Sequence, residues 1–126
     1  MAYRICRWHW YCDYQLYIRK LSLYQLVYYV PETHLELTKA KLFEIGVGAV
    51  GNYRCCAWQI KGQGQFSAMD GATPYIGKPS ETTTMDEYKV ELVVSDELIS
   101  RAIDVLKQCH PYETLAFSAW RLEFCS

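Results

Sequence analysis

Residues 23–30 read LYQLVYYV, and the fold turns on this stretch. Only Gln25 interrupts a run of aliphatic and aromatic side chains, and Pro31 closes it. Successive side chains of a strand point to opposite faces, so a strand apolar on both faces needs cover on both. Leu23–Val30 is therefore expected in the middle of a sheet. Pro31 and Glu32 then suit a helix start. Proline lacks an N–H the first turn does not need, and an acid favours the positive end of the helix. This helix is expected to run to about Ile45, with Leu35, Leu42 and Phe43 facing the core and Gly46 ending it.

Downstream, Gly46, Gly48 and Gly51 form GVGAVG. A phosphate-cradling loop needs a strand before it and a helix after it; here strand signals follow, so the glycines read as a helix cap and tight turns. Tyr53–Ile60 alternates as a strand, Lys61–Gly64 reads as a glycine-containing turn, and Gln65–Met69 pairs back as a hairpin. Asp70–Glu87 reads as a long loop holding Gly71, Pro74 and Gly77 and the polar run SETTTMDE, with Asp86 and Glu87 solvated. Tyr88–Val94 is a strand with Tyr88, Val90, Leu92 and Val94 inward and Lys89 and Glu91 outward. Ser95 is expected to cap a second helix, followed by Asp96 and Glu97 in its first turn. Its apolar stripe is Leu98, Ile99, Ala102, Ile103 and Leu106, and Pro111 stops it after His110. Leu115–Leu122 is the last strand.

The order is β-α-β-β-β-α-β. Treating one hairpin strand as an insertion leaves β-α-β-β-α-β, a ferredoxin-like α+β sandwich with an extra hairpin strand. Both helices of such a sandwich cover one face of the sheet and leave the other open. Because the first strand is apolar on both sides, the open face carries aromatic and aliphatic groups. An exposed apolar sheet face marks an interface, so oligomerisation through the sheet is expected.

The 126 residues allow one domain, placed at 22–123 between an atypical extension, 1–21, and a short tail, 124–126. At 51% hydrophobic and 21% charged residues the composition is that of an ordinary globular protein. The net charge is -1, which excludes a global basic field for nucleic acid. No apolar run approaches the ~18 residues of a membrane span. Cysteines stand at 6, 12, 55, 56, 109 and 125 without a CxxC pair, so a zinc signature is missing. No secretory leader is visible, so the thiols read as reduced and the location as cytoplasmic. Residues 1–20 are net +3, leaving -4 for the rest. The extension, rich in Trp and Tyr and without a clean period, reads as an aromatic arm, an addition made for expression, or translation from an upstream start.

Several stretches together resemble one family: VPETHLE (30–36), LFEIGVGAVGNYRCCAW (42–58), the Gly62-x-Gly64 segment with Phe66, GATPYIG (71–77), and HPYE (110–113) before a strand ending WRLE. Across residues 24–123 this is similar to the YqfO-type insert domain of the Nif-three-like (YbgI/YqfO) proteins. The resemblance implies a fold like CutA and PII signalling proteins, and a homotrimer. It also implies that the two-metal domain flanking the insert in full-length members has no counterpart here, so the chain reads as a stand-alone version of the insert. Hydrolase or cyclohydrolase labels should then not pass to it. Members often carry His where this chain has Ala49 and Cys55, whereas Cys56 matches the family cysteine.

The candidate site centres on His110 and Glu113. A histidine at a helix C-terminus gains from the negative end of the dipole, and the carboxylate three residues on could share a divalent metal with it. Asn52, Tyr53 and Cys56 are candidates to complete a ligand contact, with Tyr112 beside them and Pro74 and Gly77 in a loop that could lid a cleft. Against this stands a structural corner, in which His110 caps the helix and Glu113 bonds the backbone. Cys55 and Cys56 are adjacent and point to opposite strand faces, so they cannot chelate one ion. The expected function is a non-catalytic trimeric binding or regulatory module, taking a divalent metal or small ligand. The alternatives are a metal-dependent hydrolase component completed by a partner domain, and a purely structural interaction domain.

Overall fold

Leu23–Val30 forms strand β1, and it lies inside the sheet as its two apolar faces require. The computed structural model describes residues 22–123; the readings of 1–21 and 124–126 concern segments outside the described residues. Helix α1 (Glu32–Glu44) follows β1, then β2 (Trp58–Ser67), β3 (Thr82–Ser95), helix α2 (Ile99–Cys109) and β4 (Phe117–Arg121). The sheet order is β2-β3-β1-β4, and every pair of neighbours is antiparallel. This is the ferredoxin-like β-α-β-β-α-β plan.

Leu26, Tyr28 and Val30 of β1 and Val90, Leu92 and Val94 of β3 join one core with Leu35 and Leu42 of α1 and Ala102 and Leu106 of α2. These strand residues are alternate ones and share one face, so both helices cover the same side. Burying each such Leu or Val stabilises the fold by roughly 2 kcal/mol. The other face carries Trp58, Ile60 and Trp120, each about half exposed at 54%, 51% and 48%.

Thr38 joins Leu35 and Leu42 on the buried stripe of α1. Its hydroxyl lies 3.0 Å from the Tyr28 hydroxyl and within 2.9 Å and 3.0 Å of the carbonyl oxygens of His34 and Leu35. A threonine proton given to a carbonyl of the preceding turn leaves its oxygen to accept from Tyr28.

Four expectations are corrected. Of the expected strand Tyr53–Ile60 only Trp58–Ile60 is strand, and Cys55 lies in the preceding loop with φ +57, outside regular strand geometry. Lys61–Gly64 is not a turn but lies inside β2, and Gln65–Ser67 continues the same strand, so the described residues contain no extra hairpin strand. The run Thr82–Glu87 is not loop but the first half of β3, paired with Gln63–Ser67 and Gly62. Both stretches are polar because β2 and the start of β3 run past the end of β1 as a two-stranded ribbon, so no helix face demands apolar partners there. The true loop is 68–81. Finally, Ser95 ends β3 instead of capping a helix. A turn closed by Leu98 N–H to Ser95 C=O at 3.0 Å intervenes, with Asp96 and Glu97 inside it, and α2 starts at Ile99.

The GVGAVG segment is structural. Gly48 N–H donates to Val93 C=O at 2.9 Å, and Cys56 N–H donates to Gly48 C=O at 2.9 Å. Gly48 has φ +79, and a Cβ there would come within 2.7 Å of the Cys56 carbonyl oxygen. Only glycine fits where the loop is clamped between its own return and β3.

Candidate functional site

The chain leaves α2 at His110, where Pro111 makes helix continuation impossible. His110 is buried. Its Nε2 lies 2.7 Å from the carbonyl oxygen of Tyr29, and its Nδ1 lies 3.1 Å from the Tyr112 backbone nitrogen. A backbone N–H can only donate and a carbonyl can only accept. The pair therefore selects the neutral ring with its proton on Nε2. Burial pushes the His110 pKa below its ordinary value, against the opposing effect of the Tyr29 carbonyl.

Tyr112 follows with its ring edge-on to His110, centroids 4.7 Å apart. Its hydroxyl reaches Sδ of Met85 at 3.1 Å and a carboxylate oxygen of Glu87 at 3.3 Å. Burial first, and the Glu87 charge second, raise the pKa of this phenol. Glu113 accepts the Thr73 backbone N–H at 3.0 Å, tying loop 68–81 to the corner. Within that loop Tyr75 stacks obliquely on Tyr112 at 6.2 Å and meets the His34 ring edge-on at 5.8 Å.

These contacts frame a cavity of about 490 Å³ at the end of the sheet. Its apolar walls include Tyr29, Phe66, Met69, Tyr75, Ile76 and Met85. Glu87 and Glu113 supply its charged groups, and Gln65, Ser67, Tyr112 and Thr114 its neutral polar ones. Gly64 of β2 lines it too, and a Cβ there would collide with the Glu87 carboxylate. The missing side chain is what lets Glu87 lie across β2 toward the cavity.

Of the expected site residues, Pro74, Tyr112 and Glu113 line this cavity. His110 stands behind Tyr112 as its support. Gly77 lies further along loop 68–81, against Thr83. Asn52 and Tyr53 sit in a tight exposed turn closed by hydrogen bonds between Val50 and Tyr53, and Cys56 is fixed to Gly48. Gly48, just before that turn, donates to Val93 C=O, six residues along β3 from Glu87, which corresponds to about 20 Å of strand. None of Asn52, Tyr53 and Cys56 lines the cavity. Sequence reasoning missed Glu87, Met85, Phe66 and Tyr29. The available signal was period two, since Thr83, Met85 and Glu87 continue the outward row of Lys89 and Glu91.

A metal fits this corner poorly. Both nitrogens of His110 face backbone partners, and among the described residues no three His, Cys, Asp or Glu side chains are placed to hold an ion. The arrangement can enclose and orient a small molecule through aromatic walls and two carboxylates.

The topology and one-sided helix cover define a CutA/PII-like domain of the α+β class. A CutA from Archaeoglobus fulgidus, a periplasmic divalent cation tolerance protein, superposes with a TM-score of 0.60 at 16% identity, over 80% of this chain and 84% of that one. No family model matches the chain. By sequence and structure it is homologous to one segment of the Nif-three-like (NIF3) proteins. It is 35% identical over 101 residues to a Halalkalibacterium halodurans protein called GTP cyclohydrolase 1 type 2 homolog, covering 80% of this chain and 27% of the relative. A Bacillus cereus protein related to NIF3 matches with a TM-score of 0.71 and 26% identity, over 82% of this chain and 26% of that one. The chain thus spans about a quarter of the length of these relatives. Among the described residues no helix is long and apolar enough to cross a membrane.

Proposed function

We propose that this chain is a non-catalytic, homo-oligomeric binding module of the Nif-three-like insert type, taking a small ligand in the cavity between loop 68–81 and the His110–Glu113 corner. The observation that carries this reading is the cavity itself. It is walled by β2, β3, the loop and the corner, and the one buried histidine beside it is committed to backbone partners. A trimer is the assembly proposed, supported by Trp58, Ile60 and Trp120 on the face without helices. The free thiols of Cys55, Cys56 and Cys109 suit a reducing compartment such as the cytoplasm.

The name carried by the relatives suggests a second reading, an enzyme component acting with the part of those proteins this chain does not match. A divalent metal at Glu113 belongs with that reading, because its remaining donors would have to come from another copy or domain. Two measurements test the proposal. Light scattering should give three times the 14.7 kDa subunit mass, and a single-subunit mass overturns the assembly. Isothermal titration with zinc, manganese or nickel should give no heat that Glu113→Gln removes. Heat lost in that variant would favour the metal reading.

A further inference from the structure

We infer that the cavity selects an organic cation, a compact molecule with a flat apolar body and one protonated nitrogen. This deepens the proposed function and rests on the cavity being a ligand site. Its volume of about 490 Å³ suits a small molecule, not a peptide or a nucleic acid.

The chemistry of the walls narrows the class. Tyr29, Phe66, Tyr75 and Tyr112 present aromatic surface, and ring faces attract cations. Glu87 and Glu113 are the charged groups among the described residues lining the cavity, where no Lys, Arg or His appears. An anion such as a nucleoside triphosphate would meet two like charges without a counter-charge. A neutral apolar ligand would fill the space but cover two carboxylates without pairing them, which is costly. A protonated nitrogen removes that cost. A carboxylate offers about four acceptor positions. Glu87 receives the Tyr112 hydroxyl at 3.3 Å, and Glu113 receives the Thr73 N–H at 3.0 Å, so each retains capacity for an ammonium or amidinium donor. Gly64 points the same way, because its missing Cβ admits the Glu87 carboxylate over β2.

The test uses three probes of similar shape on the full chain: 2-phenylethylammonium, neutral 2-phenylethanol and anionic 3-phenylpropanoate. Each is titrated to millimolar concentration while backbone amide resonances are followed. The cation is expected to shift Thr73, Tyr112 and Ala68, to bind about ten-fold more tightly than the alcohol, and to lose about that factor in Glu87→Gln. The anion is expected to leave those resonances in place. If the alcohol or the anion binds these residues as well as the cation does, the charge preference is overturned while the cavity remains a ligand site. If no probe moves cavity amides, or the shifts fall around Trp58, Ile60 and Trp120, the cavity reading and the cation proposal fail together.

Discussion

Thr38 stands where the stripe of α1 would take a leucine, and its hydroxyl is what allows Tyr28 to lie fully in the core. Burial raises the Tyr28 pKa even though the Thr38 contact opposes it, so this phenol stays protonated and needs an acceptor. Thr38→Val keeps the shape and removes the acceptor. It should lower unfolding free energy by about 1–3 kcal/mol in urea titrations, and an unchanged midpoint would show that the Tyr28 hydroxyl finds another partner. His110 gives a pH dependence with a definite sign. Its folded pKa lies below the unfolded value of about 6.5, so the unfolded chain binds the proton more readily. The stability His110 contributes is complete above about pH 6.5 and is lost as pH falls toward the folded value. Thermal unfolding should therefore come earlier as pH drops from about 7.5 to about 5.5, and His110→Gln should flatten that slope. A slope unchanged in the variant would assign it elsewhere. At this scale the corner was legible because HPYE joins a helix stop to polar groups. Tyr112, Glu113 and Pro74 do reach one cavity. Asn52, Tyr53 and Cys56 do not, since nothing in their spacing reveals which end of the sheet their turn is clamped to.

Elements whose two faces both meet protein were the easiest to read. β1 announces itself by seven apolar or aromatic residues out of eight, and the inward row Tyr88, Val90, Leu92, Val94 follows from the same rule. β2 and the first half of β3 were misread because they obey a different constraint. KGQG resembles a turn, yet in β2 Gly64 makes room for Glu87; SETTTMDE resembles a loop, yet it pairs along a ribbon that no helix covers. Polar composition reports missing cover and not missing strand. The same fact divides β3, which is 14 residues long but pairs with β1 only from Tyr88 onward. Among the described residues, Thr82–Glu87 has β2 as its sole strand neighbour. Hydrogen exchange should separate the halves, with amides of Tyr88–Val94 protected roughly a hundred-fold more than those of Thr82–Glu87. Equal protection would mean that the ribbon is held by contacts beyond strand pairing.

For the whole molecule, both helices lie on one face of the sheet as the strand order implied, and the half-exposed Trp58, Ile60 and Trp120 of the other face carry the assembly prediction. Ile60→Lys combined with Trp120→Glu changes side chains that are half exposed in the subunit, so its own folding should move by no more than about 0.5 kcal/mol per site. If the sheet face joins subunits, the double variant should scatter light with the mass of one subunit. Retention of the parent mass would place the contact elsewhere. The row of rings running from His110 through Tyr112 and Tyr75 to His34 has a consequence of its own. It links the exit of α2, loop 68–81 and the first turn of α1 through edge and tilted contacts, and Tyr75 and Tyr112 both line the cavity. A guest that tilts either phenol alters the magnetic shielding that Tyr75 casts on the imidazole of His34. Proton resonances at the start of α1 thereby become an intrinsic gauge of occupancy, legible without any label.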